Sequence, residues 1–130
     1  MLKDSKVVAT VATNDMPKTH AFYSEALGLP TMMSADQVAA YQLPDGSALS
    51  VYLRPNHVPP GNTTVTFVVS DIEAEMADLR SRGVTFEDYD MPGLKTVNGL
   101  ATEDMGGTKA AWFKDPAGNI LSLNTLPPEG

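Results

Sequence analysis

Imidazole and carboxylate are the groups to search first for metal binding or proton transfer, because this chain has no cysteine and therefore no thiolate. It has two histidines. His20 falls in a helical stretch and reads as a solvent-facing helix residue. His57 falls in a proline-rich linker and reads as a loop residue. Neither is expected to act as a metal ligand or a catalytic base. The densest titratable group is Glu87, Asp88, Asp90, Glu103 and Asp104 around Lys95. Tyr89, Met91, Met105 and Trp112 lie close to it in sequence. Such a segment could form a lid that attracts and stacks a cationic planar compound. A solvated acidic loop is the competing reading. For general acid–base chemistry, Asp88, Asp90 and Glu103 are the candidates the segment offers.

A second set of candidates comes from strand alternation, which sends successive side chains to opposite faces. In Ala48–Leu53, Ser50 and Tyr52 oppose Leu49, Val51 and Leu53. In Thr64–Val69, Thr64 and Thr66 oppose Val65, Phe67 and Val69. In the first strand, Val8 and Thr10 oppose Val7, Ala9 and Val11, and in the last, Ser122 and Asn124 oppose Leu121 and Leu123. One face is bulky and apolar, as helix packing requires. The other is small or hydroxylic. It is either the wet side of an antiparallel sheet or the lining of a cavity. On the cavity reading, neutral donors and acceptors orient a ligand while Tyr41, Tyr52 or Trp112 stack on it. The cavity-facing set is then Val8, Thr10, Tyr41, Ser50, Tyr52, Thr64, Thr66, Trp112, Ser122 and Asn124.

The elements that would position these residues occur twice. Val7–Thr13 and Thr63–Val69 are β-branched, strand-like runs, and each is followed by an Asp that opens a helix, Asp15 and Asp71. Asn14 or Asp15 suits the first helix cap, with Pro17 in the first turn. Ser70 and Glu73 have capping-box spacing before the second helix. Phe22, Ala26 and Leu27 give the first helix a buried stripe, and Ile72, Met76 and Leu79 give one to the second. The helices stop at Gly28 and Gly83. Pro44-Asp45-Gly46 and Pro116-Ala117-Gly118 each feed a strand. Strands are expected near Pro30–Ser34, Val38–Leu43, Ala48–Leu53, Val84–Asp88, Lys109–Phe113 and Asn119–Asn124. Asp15 and Asp71 are 56 positions apart, Gly46 and Gly118 are 72, so the second half carries 16 extra residues, placed at Tyr89–Gly107. Arg54–Asn62, with Pro55, Pro59, Pro60 and Gly61, reads as linker. The organisation is one domain over 1–130: a module at about 5–54, a linker at 55–62 and a module at about 63–126. A half that cannot close a core alone usually pairs with its copy, leaving a cleft between them.

A βαβββ unit occurring twice, with Phe22-Tyr23-Ser24-Glu25-Ala26-Leu27-Gly28-Leu29 in its first helix and Phe113-Lys114-Asp115-Pro116-Ala117-Gly118-Asn119 before its last strand, resembles the vicinal oxygen chelate superfamily. That superfamily includes glyoxalases, extradiol dioxygenases, fosfomycin-resistance enzymes and bleomycin-resistance proteins. The resemblance implies an α+β fold, two βαβββ modules forming a curled mixed sheet around a central cavity, often in a homodimer. It also implies four metal-ligand positions, one in the first and one in the last strand of each module. Alignment on the two Asp residues and the two turn glycines places Val8, Ser50, Thr64 and Ser122 there. Valine has no donor atom, and neutral hydroxyls are weak ligands for a catalytic divalent ion. No metal and no cofactor are therefore expected.

The bulk numbers agree with a small soluble binder. Net charge is −7, from 16 acidic and 9 basic residues, which argues against a nucleic-acid partner. No stretch approaches the roughly 20 apolar residues of a membrane span, and the N-terminus lacks the apolar run of a signal peptide, so cytoplasmic location is expected. The leading functional expectation is a metal-independent small-molecule-binding protein of the glyoxalase/bleomycin-resistance type, holding a cationic or aromatic compound. The alternative is a glyoxalase-like lyase or isomerase with a metal-free site. A module with no small-molecule ligand is a third.

Overall fold

The computed structural model describes residues 1–102 and 108–126. Glu103, Asp104 and Met105, and the tail from Pro127, lie outside the described residues. The chain divides into two compact units, Met1–Pro59 with Pro116–Asn119, and Pro60–Asp115 with Ile120–Gly130. The architecture is mixed α+β, with a mixed sheet in each unit and no closed barrel among the described residues.

The first unit starts with β1 (Val8–Thr13) and α1 (Met16–Ala21), followed by β2 (Thr31–Ser34), β3 (Val38–Gln42) and β4 (Ala48–Leu53). The strands lie in the order β1-β4-β3-β2. β1 runs parallel to β4, while β4, β3 and β2 form an antiparallel meander. Asp15 caps α1 by accepting from the Lys18 amide at 3.1 Å. Pro17, which has no amide hydrogen to orphan, fits the first turn. The helix is fastened to β1 by a hydrogen bond between the hydroxyls of Thr13 and Thr19, 2.7 Å apart and both fully buried.

The expected stripe of Phe22, Ala26 and Leu27 is not the one that packs. Residues Phe22–Ala26 form a π-helical turn, in which the Leu27 amide bonds the Phe22 carbonyl at 2.9 Å. The wider turn rotates the face by about one residue. Tyr23 continues the buried stripe of Met16 and Thr19 and is fully buried, while Phe22 and Leu27 are only half-buried. Gly28, at φ +71°, then ends the helix, as the sequence indicates. Tyr23, Tyr41, Leu49 and Val51 form the core under it, all at zero exposure. Burial of Leu49 and of Val51 is worth about 1.5–3 kcal/mol each in transfer free energy.

The second unit repeats the opening with β5 (Thr63–Val68) and α2 (Ile72–Ser81). α2 is capped by Asp71, which accepts from the Ala74 amide at 3.1 Å. Asp71 thus takes the capping role expected of Ser70, because its carboxylate matches that of Asp15 one repeat earlier. Ile72, Met76 and Leu79 are buried, as their spacing indicates. The sheet order is β5-β9-β8, with β8 (Ala110–Lys114) and β9 (Ile120–Asn124) antiparallel and β5 parallel to β9. The expected strand at Val84–Asp88 is reduced to a single bridge, Phe86 to Phe113. Beyond it the Glu87 amide bonds the Trp112 carbonyl at 2.8 Å. Asp88 then turns away, because its carboxylate accepts from Thr96 Oγ1 and the Gly99 amide, each at 2.8 Å. The inserted segment contains a short hairpin, β6 (Asp90–Met91) and β7 (Leu94–Lys95).

Candidate functional site

Register shows what each hydroxyl meets. Thr10 stands beside Ser50 across the parallel β1/β4 pair, and Ser50 Oγ donates to Thr10 Oγ1 at 3.1 Å. Thr66 stands beside Ser122 across β5/β9, and their hydroxyls share a hydrogen bond of 2.8 Å. These pairs are repeat-equivalent: Thr10 and Thr66 keep the Asp15-to-Asp71 offset, and Ser50 and Ser122 keep the Gly46-to-Gly118 offset. Val8 and Thr64, the first-strand positions that the resemblance implies for a metal, are not the neighbours of the serines. Val8 lies opposite Ala48, and Thr64 directs its hydroxyl to the Ile120 carbonyl at 3.0 Å. The donors at the level of the serines are therefore still neutral hydroxyls, now threonine in both units.

The remaining expected residues fall into two groups. In the second unit, Trp112 stands opposite Ser122, on the hydroxyl face. Its indole Nε1 donates to Thr63 Oγ1 at 3.2 Å, and Tyr89 meets it edge-on with ring centroids 5.6 Å apart. Asn124 closes the row. Its side-chain Oδ1 is buried and has no hydrogen-bond partner among the described residues. In the first unit, Tyr52 lies on the same face as Ser50 and is 40% exposed. Tyr41 does not. It stands opposite Leu49 on the helix-facing side of the sheet, at zero exposure, so it is a core residue rather than a lining one. Parity across β3 and β4 decides this, and it could have been read from the sequence had the register been known.

The acidic residues are also sorted by the structure. Hydrogen bonds from Thr96 and the Gly99 amide hold the Asp88 carboxyl below the usual carboxylate range. It fastens its own loop, with Arg80 adding attraction and also donating to the Asn98 carbonyl. Asp90 is exposed. Tyr89 titrates above its ordinary value through burial and then through the neighbouring charge of Glu87. No group of three or more His, Cys, Asp or Glu side chains among the described residues is arranged to hold a metal ion. The hydroxyls and alkyl group at the four strand positions do not fit a divalent ion either.

His20 departs from its expected solvent-facing role, whereas His57 lies in the loop expected of it; both rings are hydrogen-bonded. His20 is half-buried, with Nδ1 2.7 Å from the Tyr41 hydroxyl. His57 Nε2 lies 2.9 Å from Asn119 Oδ1, and Asn119 Nδ2 donates to the Ala12 carbonyl at 2.8 Å. Asn119 is 1% exposed, so the turn before the last strand is held by a buried carboxamide.

The doubled strand–helix opening and the matched hydroxyl pairs characterise a duplicated module. A model of the Glyoxalase/Bleomycin resistance protein/Dioxygenase superfamily matches residues 7–123. The chain belongs to this superfamily. Among solved structures of the superfamily, it is similar to a glyoxalase/bleomycin resistance protein from Catenulispora acidiphila, at 26% identity and a TM-score of 0.67, covering 94% of this chain and 98% of that one. A glyoxalase family protein from Enterococcus faecalis shares the fold at 21% identity, a TM-score of 0.68, and 95% and 99% coverage. The oxidase ChaP-H2 does so at 22% identity, a TM-score of 0.64, and 95% and 94% coverage. No curated protein matches the chain.

Proposed function

We propose that this member of the superfamily is a small-molecule-binding protein that works without a divalent ion and holds a cationic or aromatic compound against its hydroxyl faces. The observation that carries this reading is the pairing of Thr10 with Ser50 and of Thr66 with Ser122, hydroxyl to hydroxyl, at equivalent positions of the two units. Four neutral oxygens already bonded in pairs supply directional contacts to an organic ligand and little affinity for a metal. Trp112 with Tyr89 offers an aromatic wall, and the free Oδ1 of Asn124 offers a buried acceptor to an N–H or O–H group. The net charge of −7 favours cations over anions. Action as a homodimer in the cytoplasm belongs to the same proposal; it is compatible with the lack of cysteine and with the lack of any helix, among the described residues, long and apolar enough to cross a membrane.

The test is thermal unfolding of metal-stripped protein with and without Ni²⁺, Zn²⁺, Mn²⁺ and Fe²⁺, followed by a panel of planar aromatic cations. The expected result is no metal-dependent shift and a rise in Tm with at least one organic cation, by mass action. A rise of several degrees with one metal, abolished by chelator, would overturn the metal-free reading and bring the lyase or isomerase alternative forward.

A further inference from the structure

A cleft of about 530 Å³ opens in the first unit beside the start of α1, lined among others by His20, Asp15, Asp36, Met16 and Leu53. It is separate from the hydroxyl face. Leu53 shares the helix-facing parity of Leu49 and Val51, and His20 stands on α1 itself.

The buried Tyr41 hydroxyl fixes the chemistry of His20. Tyr41 has zero exposure, and burial pushes its pKa up to about 12, so it carries its proton throughout the physiological range. A buried O–H must donate to something. Its partner is His20 Nδ1 at 2.7 Å, with the two rings stacked at 5.7 Å and 21°. Nδ1 therefore accepts, and the neutral imidazole carries its proton on Nε2. Nε2 is on the side of the ring away from the tyrosine. Stacking and the hydrogen bond together prevent the ring from flipping to offer the other nitrogen. The result is a fixed donor on a half-buried side chain that lines a cleft.

The surroundings restrict what that donor meets. The carboxylates of Asp15 and Asp36 line the same cleft and disfavour anions. Met16 and Leu53 give it an apolar wall. We propose that this cleft is a second small-molecule site, taking a neutral or cationic compound whose carbonyl or hydroxyl oxygen accepts a hydrogen bond from His20 Nε2–H. The proposal is independent of the function assigned to the hydroxyl faces.

The probe is L-leucinamide, which joins an amide carbonyl, an ammonium group and a small apolar body. Acetate serves as the anionic control. Both are titrated into the full chain, with the ring resonances of His20 and His57 followed by nitrogen-resolved NMR. Without probe, His20 is expected as the Nε2–H tautomer. Leucinamide should shift the His20 ring saturably and leave His57 in place; acetate should do neither. His20→Phe, which keeps the stacking on Tyr41, should weaken leucinamide binding, followed on cleft backbone amides, by about tenfold. Tyr41→Phe should keep the fold, shown by unchanged His57 resonances, and move His20 to a mixture of tautomers. An Nδ1–H tautomer in the unmodified protein, no leucinamide shift at His20, equal binding by His20→Phe, or a comparable response to acetate would each overturn the proposal.

Discussion

Single side chains act here by satisfying buried groups, and their removal should be measurable. Asn119 bonds both the Ala12 carbonyl and His57. Asn119→Ala leaves the carbonyl buried without that donor and should destabilise the protein by about 1–3 kcal/mol, read by urea unfolding. Asp88 gives a pH signature instead. Its folded pKa is depressed, chiefly by Thr96 and then by the Gly99 amide. Its contribution is therefore fully present above its unfolded value, about 4, and is lost as pH falls through the lower folded value. Hydrogen exchange at the Gly99 amide should accelerate in acid relative to the rest of the second unit. Asp88→Asn should show the fast rate at neutral pH as well. An acid-insensitive Gly99 amide would show that the carboxylate does not fasten the loop. At this scale the sequence was legible by type but not by partner. Asp88 is visibly acidic, but only the fold brings it to residues eight and eleven positions later.

Elements repeat more faithfully than side chains. Asp15 and Asp71 cap α1 and α2 through the same contact, a carboxylate oxygen accepting from the amide three residues on. Asp15→Ala and Asp71→Ala should each cost about 1 kcal/mol, measured by urea unfolding. Serine at either position should recover most of the loss. The turn glycine Gly118 is less tolerant. It sits at φ +85°, and a Cβ there would lie 2.9 Å from Pro59 Cγ. Gly118→Ala should cost about 1–3 kcal/mol, since left-handed strain and contact add. The strands β4 and β9 and the helix α2 were readable because alternation and helical period report burial directly. The π-helical turn at Phe22–Ala26 was not. A single extra residue in a turn leaves composition unchanged, so no local pattern marks it. The strand expected at Val84–Asp88 was lost for a related reason, since the carboxylate contact of Asp88 prevails over local strand propensity.

The two units share their chain unevenly, and this bears on cooperativity. The turn Pro116–Asn119 groups with the first unit although the strands it joins, β8 and β9, lie in the second. Trp112, the only tryptophan, reports the second unit, and the His20 ring reports the first. Each probe should show a single cooperative step; a biphasic trace from either would show that the unit it reports does not unfold as one. The sequence by itself determined the duplicated strand–helix order, the apolar and hydroxyl faces and the uncharged character of the four strand positions, because these follow from residue type and spacing along one chain. Only the tertiary structure decided that Thr10 and Thr66, rather than Val8 and Thr64, meet the serines. It also removed Tyr41 from the lining face and set His20 against it. Register and helix rotation depend on contacts between residues far apart in sequence, and no local pattern encodes them.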